Sequence, residues 1–354
     1  MGNRVLMKGN EAIAEAAIRA GCRHYFGYPI TPQTEIMHYM AKRMVEVGGT
    51  IVQAESEIAA INMVYGAAAA GARTMTTSSS PGISLKQEGF SYIAGAELPA
   101  VVVNIVRAGP GLGGILPAQG DYFQATKGGG HGDYRNIVLA PASVQELYEL
   151  TVEAFNLADR YRMLVMILGD GVLGQMMEPV EFKDREEIDV VAKDWAVCGT
   201  AGQRVHNTIT SIYIQPDVME AFNNKLQAKY QIVRGQETRV ESINCEDAEI
   251  IITAFGSCSR ICRNVIRQAA ELGIKVGMIR PITLWPFPEE VIAAAAGQPG
   301  LKAFLDIELN CGQMVEDVRL AANGLKPVHF HGRTGGNLPT QNEILDRIRS
   351  IAGR

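Results

Sequence analysis

Aromatic side chains make up only 6% of this sequence and charged ones 20%, and its six cysteines lie scattered between Cys22 and Cys311. Thiols spread this way do not make a disulfide scaffold. Cys258 and Cys262 fall on one face of an expected helix, but no second pair follows to complete a zinc or iron–sulfur site, so no metal is expected here. There is no Lys/Arg block, and the net charge of −5 argues against a general nucleic-acid binder. No apolar run reaches the roughly 18 residues that a membrane span needs. The opening MGNRVLMKGNE lacks the form of a secretory signal, and Leu6 stands where a myristoylation signal wants Ser or Thr. The expected location is the cytoplasm.

What the chain does have is glycine, 37 residues among 354, together with an apolar fraction of 47%. That balance suits an α/β protein with many tight strand–helix turns, and the length allows two domains. Over residues 1–185 short β-rich runs alternate with Ala-rich helical patterns. Strands are expected at 24–28, 50–54, 73–77, 99–106, 136–140 and 163–170. Helices are expected after Asn10, read as an N-cap, from about Thr31, near Glu57, and after Ser143, whose spacing to Glu146 reads as a capping box. The apolar runs PAVVVNIV and MLVMIL fit strands buried on both faces of a doubly wound, mostly parallel sheet. Residues 186–245 lose this regularity and read as a linker with one polar helix at 217–230. Order returns over 246–354 as a second, smaller α/β domain.

Open parallel sheets collect ligands beyond the carboxyl ends of their strands, so the residues standing there are the candidates. The first strand leads into YPITP. Thr31 before Pro32 reads as a hydroxyl cap with Pro at the first helical position, a helix end that would favour a carboxylate or do nothing more than cap. The second strand leads to Glu55 and Glu57, ahead of IAAINMVYGAAAAGA. An acid in a first helical turn gains about 0.3–1 kcal/mol from the helix dipole. The small-residue face behind it permits close packing, which would bury the carboxyl and favour its neutral form, as proton exchange with a ligand nitrogen requires. The third strand feeds SSSPGISLKQEG, a polar loop before a helix. The fourth ends at Arg107, a guanidinium emerging from a buried strand, which needs an anion: a structural partner or a bound carboxylate. His131, in KGGGHGDY, is expected at the surface.

Two motifs mislead. GPGLGG (109–114) satisfies the dinucleotide pattern literally, yet ILPAQGD follows in place of a helix. LGDGVLG (168–174) begins like the Mg²⁺–diphosphate motif of thiamine enzymes but lacks its later Asn, since 194–200 read DWAVCGT. Asp170 and Gly171 are expected to form the turn after a strand.

Several segments taken together resemble one family. GYPITPQTEI (27–36), QAESEIAAINMVYGAAAAGARTMTTSSSPG (53–82), NIVRAGPGLGG (104–114), QGD (119–121), APASVQE (140–146) and IRPITLWPFP (279–288) are similar to the α subunit of 2-oxoacid:ferredoxin oxidoreductases, nearest the 2-oxoisovalerate (3-methyl-2-oxobutanoate) type. The resemblance implies a thiamine diphosphate pyrimidine-binding domain followed by a transketolase-C-terminal-like domain. It implies oxidative decarboxylation of a 2-oxoacid with coenzyme A and ferredoxin. Mg²⁺ and a [4Fe–4S] cluster would reside in a β subunit, and γ and ferredoxin-like δ subunits, where present, complete such assemblies in the family. Residue by residue, Glu57 matches the acid that hydrogen-bonds N1′ of the aminopyrimidine. Pro29 would wall that ring, Thr31 would stand near the substrate carbonyl and carboxylate, and Arg107 would bind the carboxylate. Use of 2-oxoglutarate or pyruvate, other thiamine chemistry of the indolepyruvate or transketolase type, and a non-catalytic assembly role remain alternatives.

Overall fold

The computed structural model describes residues 4–183, 186–189 and 191–354. The chain begins with β1 (Arg4–Lys8), α1 (Gly9–Arg19), β2 (His24–Gly27), α2 (Thr34–Glu46), β3 (Thr50–Gln53), α3 (Glu57–Ala69), β4 (Thr74–Ser78), α4 (Ser80–Gly95) and β5 (Ala100–Val106). After a long loop come β6 (Ile137–Leu139), α5 (Val144–Tyr161), β7 (Leu164–Asp170), α6 (Gly171–Gln175) and β8 (Met177–Glu181). The remainder comprises α7 (Pro216–Glu237), β9 (Val240–Ile243), β10 (Ile250–Ala254), α8 (Gly256–Glu271), β11 (Val276–Pro281), β12 (Thr283–Trp285), α9 (Glu289–Ala296), β13 (Ala303–Glu308), α10 (Met314–Ala322), β14 (Val328–Gly332) and α11 (Gln341–Ala352).

These strands form two main sheets. The larger has the order β12-β6-β7-β5-β4-β2-β3 and is parallel except for β12. Its central strands β5 and β7 are buried along their whole length and pair in register from Ala100↔Leu164 to Val106↔Asp170. Helix α1 packs against α2 and α5, while α3 packs against α4. The smaller sheet has the order β14-β13-β10-β11-β9 and is parallel except for β9. This is the expected α/β architecture of two parallel-sheet units.

Several local expectations fail for identifiable reasons. Asn10 is not an N-cap: α1 starts at Gly9, and the buried Asn10 amide donates instead to the Pro32 carbonyl and the Glu35 carboxylate, both at 2.8 Å. Thr31 is not an N-cap either. The Pro32 carbonyl is committed to Asn10 and Gln175, and α2 begins three residues after Thr31, with Gln33 at the cap position. Ser143 does cap α5, accepting the Glu146 N–H at 3.0 Å, but the Glu146 carboxylate accepts from the Ala142 N–H and from Arg280. The stretch read as a linker holds more structure than its composition suggests. Helix α7 runs for 22 residues with Leu226, Tyr230 and Val233 turned inward, and β9 adds an antiparallel edge to the second sheet. Two pairings are non-local and left no short-range signal: β1 with β8, and β12 crossing from the second half of the chain to cover β6.

Candidate active site

In the order β5-β4-β2-β3, four neighbouring parallel strands deliver their carboxyl ends to one rim. Arg107 follows β5, the SSSPG turn follows β4, YPITP follows β2 and Glu57 follows β3. Chain segments distant in sequence therefore meet because parallel strands must all end on the same side.

Glu57 opens α3. Ser56 is the N-cap, its hydroxyl accepting the Ala59 N–H at 3.2 Å, so the carboxyl of Glu57 is not needed for capping. The residue is only 6% exposed, and among the described residues its carboxylate accepts no hydrogen bond. Glu55, two residues earlier, is exposed, so the two acids of the motif part company. Close approach of α4 causes the burial. A Cβ at Gly82 would lie 2.5 Å from Glu57 Oε1 and 2.1 Å from Ser78 Oγ, and one at Gly89 would lie 2.6 Å from Ile61. Glycine is therefore required at 82 by space alone. The hydroxyls of Ser78 and Ser79 are buried here without a partner among the described residues. A buried carboxylate and two orphaned hydroxyls, packed against a glycine that leaves no room for a Cβ, form a polar recess at the rim whose unmade hydrogen bonds a ring bearing a basic nitrogen would use.

Arg107 is 7% exposed. Its guanidinium donates to two main-chain carbonyls, Thr31 at 3.1 Å and Leu112 at 2.9 Å, while Nε is buried with no partner. None of the ion pairs among the described residues involves it. A buried cation lacking an anion is costly, which makes this arginine a ready site for a carboxylate. The glycine-rich 109–114 stretch folds back over it. The Gly114 N–H donates to the Ala108 carbonyl at 2.8 Å, and a Cβ at Gly113, where φ is +61°, would lie 1.9 Å from that same oxygen. The literal dinucleotide pattern thus serves as a hairpin that sets an arginine.

The remaining candidates fall around this pair. Thr31 contributes its carbonyl to Arg107 and leaves its side chain exposed, with Pro29 half-buried in the same loop. That loop is pinned by Gln33, whose Oε1 accepts from Thr77 Oγ1 at 2.5 Å. Ser80 Oγ accepts the Arg107 N–H at 3.1 Å, and the Ser80 N–H donates to Asn104, whose amide in turn donates to Asp121 at 2.8 Å. Burial pushes the Asp121 carboxyl up from its ordinary value. Asp170, by contrast, has its acceptors taken by the N–H groups of Val172, Leu173 and Ser257: it makes the turn expected after the strand, caps α6 and adds an unexpected brace to Ser257. His131 is exposed and lies edge-on to Tyr92, away from the rim residues.

Sequence reasoning missed Ser78, Gly82 and Lys86. Lys86 was the most legible of them. The inward positions of α4 include Gly82, Ile83, Lys86, Gly89, Phe90 and Ile93, so a lysine occupies the apolar face.

Residues 15–242 match the family described as pyruvate flavodoxin/ferredoxin oxidoreductase, thiamine diphosphate-binding, and residues 248–344 match pyruvate:ferredoxin oxidoreductase core domain II. The chain belongs to the 2-oxoacid:ferredoxin oxidoreductase family. It is 53% identical to a ketoisovalerate oxidoreductase subunit VorB of Methanothermobacter marburgensis, over 98% of each chain. It is 36% identical to a 2-oxoglutarate synthase subunit KorA of Methanothermobacter thermautotrophicus, over 98% of this chain and 99% of that one. The solved 2-oxoglutarate:ferredoxin oxidoreductase of Magnetococcus marinus, with 2-oxoglutarate, coenzyme A and succinyl-CoA bound, superposes with a TM-score of 0.88 at 28% identity. That match covers 99% of this chain but 65% of the other. The family reading therefore extends over both α/β units: an oxidoreductase subunit built for thiamine diphosphate chemistry on 2-oxoacids. No described helix is long and apolar enough to cross a membrane.

Proposed function

We propose that this chain is the α subunit of a cytoplasmic, coenzyme A-acylating 2-oxoacid:ferredoxin oxidoreductase whose substrate is a branched-chain 2-oxoacid such as 2-oxoisovalerate. One observation carries the reading. Two buried acid–base groups, Glu57 and Arg107, stand at strand ends of the same sheet, and among the described residues the carboxyl has no hydrogen bond and the guanidinium no anion. Evolved interiors rarely leave such capacity unspent unless a ligand uses it.

Bound thiamine diphosphate would supply an electron sink for decarboxylation. Glu57 would share a proton with N1′ of its aminopyrimidine, seated in the recess beside Gly82 and Ser78. Pro29 would form apolar wall. Arg107 would hold the substrate carboxylate and Thr31 would help orient it. The 53% relative named for ketoisovalerate supports a branched-chain substrate, whereas the 36% relative and the solved structure support 2-oxoglutarate as the second reading.

The pocket is half-built. Ile58 and Leu85 beside the recess, and Leu112, Ile115 and Leu116 on the hairpin over Arg107, are exposed apolar residues suited to a partner's surface. We assign that partner as a β subunit holding the diphosphate, Mg²⁺ and a [4Fe–4S] cluster, with ferredoxin as acceptor and γ and δ subunits where the assembly includes them.

The test is reconstitution with the β subunit encoded beside this chain, assayed with coenzyme A and a viologen acceptor on pyruvate, 2-oxoisovalerate, 2-oxoglutarate and an aryl pyruvate. The highest kcat/KM is expected on 2-oxoisovalerate, with no turnover by this chain alone. A complex inactive on every 2-oxoacid would make this an assembly subunit. Activity of the isolated chain with thiamine diphosphate and Mg²⁺ would point to transketolase-type chemistry.

A further inference from the structure

We propose that Lys86 is a positioning residue for Glu57, its buried ammonium keeping the neighbouring carboxylate charged and in place before a cofactor ring arrives. The inference rests on the assignment of Glu57 to that ring and extends it to a residue with no role in the reading above.

Lys86 is wholly buried on α4, four residues beyond Gly82, and so on the same face that presses against the start of α3. Its ammonium donates to the main-chain carbonyl of Glu57 at 3.2 Å and to Thr76 Oγ1 at 3.1 Å. One bond ties it to the helix that carries the acid, the other to the central strand beneath. The residue is thus a clamp across α3, α4 and β4 at the point where Glu57 emerges.

A clamp alone does not call for a lysine. Burying an ammonium is expensive, and an amide can donate to the same two oxygens without charge. Burial indeed draws the Lys86 amine down to about 8, opposed by the negative charge of Glu57. On the faces packed against it, α3 brings Glu57 and β4 brings Thr76, which does not titrate near neutrality. Lys86 makes no ion pair with the Glu57 carboxylate among the described residues, but a buried ammonium bonded to that residue's own carbonyl lies close enough for its charge to act on the acid. The amide end of α3 acts in the same direction. On this proposal, and contrary to the neutral form expected from burial alone, Glu57 would meet a ring nitrogen as an ionised acid, and the proton shared between them would come from solvent.

The measurement is proton uptake on thiamine diphosphate binding to the αβ complex with Mg²⁺. It is read from calorimetry at pH 7 in two buffers of different ionisation enthalpy. The wild type should take up about one proton per cofactor bound, the count expected when one group goes from empty to protonated. Lys86→Met, which removes the charge, and Lys86→Gln, which keeps hydrogen-bond donors without charge, should each take up less than half as much. Equal uptake in all three complexes overturns the proposal, whatever happens to affinity. So does a Gln variant that matches the wild type while only the Met variant differs, because the clamp would then be mechanical. A wild-type complex that binds no thiamine diphosphate would instead overturn the functional assignment, and this inference with it.

Discussion

The two sheets end in rims of opposite character. On the second sheet, Asp306 and Glu308 of β13 are fully buried; the capacity of Glu308 is spent inside the protein, while one oxygen of Asp306 has no partner among the described residues. Glu308 accepts from the N–H groups of Gln313, Met314 and Val315 and from the Asn310 amide, and Asp306 accepts from Thr253. On the first sheet, among the described residues, the Glu57 carboxyl accepts nothing and Arg107 pairs with no acid. Both rims hold buried acids at strand ends, so burial of charge is not the mark of function here. What distinguishes Glu57 from Glu308 is that its hydrogen bonds are left unmade among the described residues. A satisfied buried acid organises a loop, while an unsatisfied one is a standing cost that a ligand or a bound proton relieves.

Substitutions can break this contrast or sharpen it. The largest effect should come from Glu57→Gln, which keeps shape and removes the acid. Turnover of the complex should fall by about 10²–10⁴-fold with assembly and thermal midpoint unchanged, and near-normal turnover would erase the distinction between the rims. Glu308→Ala should do the reverse. It strips the partner from four buried donors, costing roughly 3–5 kcal/mol and lowering the thermal midpoint by at least about 5 °C. The fraction that stays folded should turn over normally. Arg107→Ala should act mainly on substrate use, reducing kcat/KM by about 10²-fold with little loss of stability, since no ion pair is broken. An unchanged kcat and KM would count against its role with the carboxylate.

The smallest effect is a pH dependence on the second rim. Burial, together with the adjacent Glu308 carboxylate, pushes Asp306 well up, so the fold favours its neutral form. Its stabilisation is complete below the unfolded carboxyl value near 4 and is lost as pH rises through its raised folded value. Asp306→Asn, neutral at every pH, should therefore melt with the wild type at pH 4. By pH 8 it should melt about 1–3 °C higher. A difference that does not grow with pH would show that Asp306 is not held neutral.

Much of this was legible in the chain. The strands of the larger sheet announced themselves through apolar runs such as PAVVVNIV, and the candidates Thr31, Glu57 and Arg107 followed from one rule about strand ends. Caps were less legible. Asn10 and Thr31 have the right chemistry for capping, but their neighbourhoods compete. Asn10 is drawn to Pro32 and Glu35, and Thr31 sits in a loop whose carbonyls serve Arg107, Asn10 and Gln175. The strand β12 escaped notice because its partner β6 lies more than a hundred residues away, and periodicity carries no record of partners.

The sequence by itself determined the α/β class, the family and the short set of residues from which a site had to be drawn, because local pattern and residue chemistry are written in the order of the chain. Only the tertiary structure decided which acids and bases are spent. Glu55 and Glu57 are two residues apart and read alike, yet one is solvated and the other sealed by a glycine 25 positions later. Lys86 looks like any helix lysine until α3 closes over it. Hydrogen-bond satisfaction is a property of three-dimensional neighbours, and neighbours are what a linear sequence does not state.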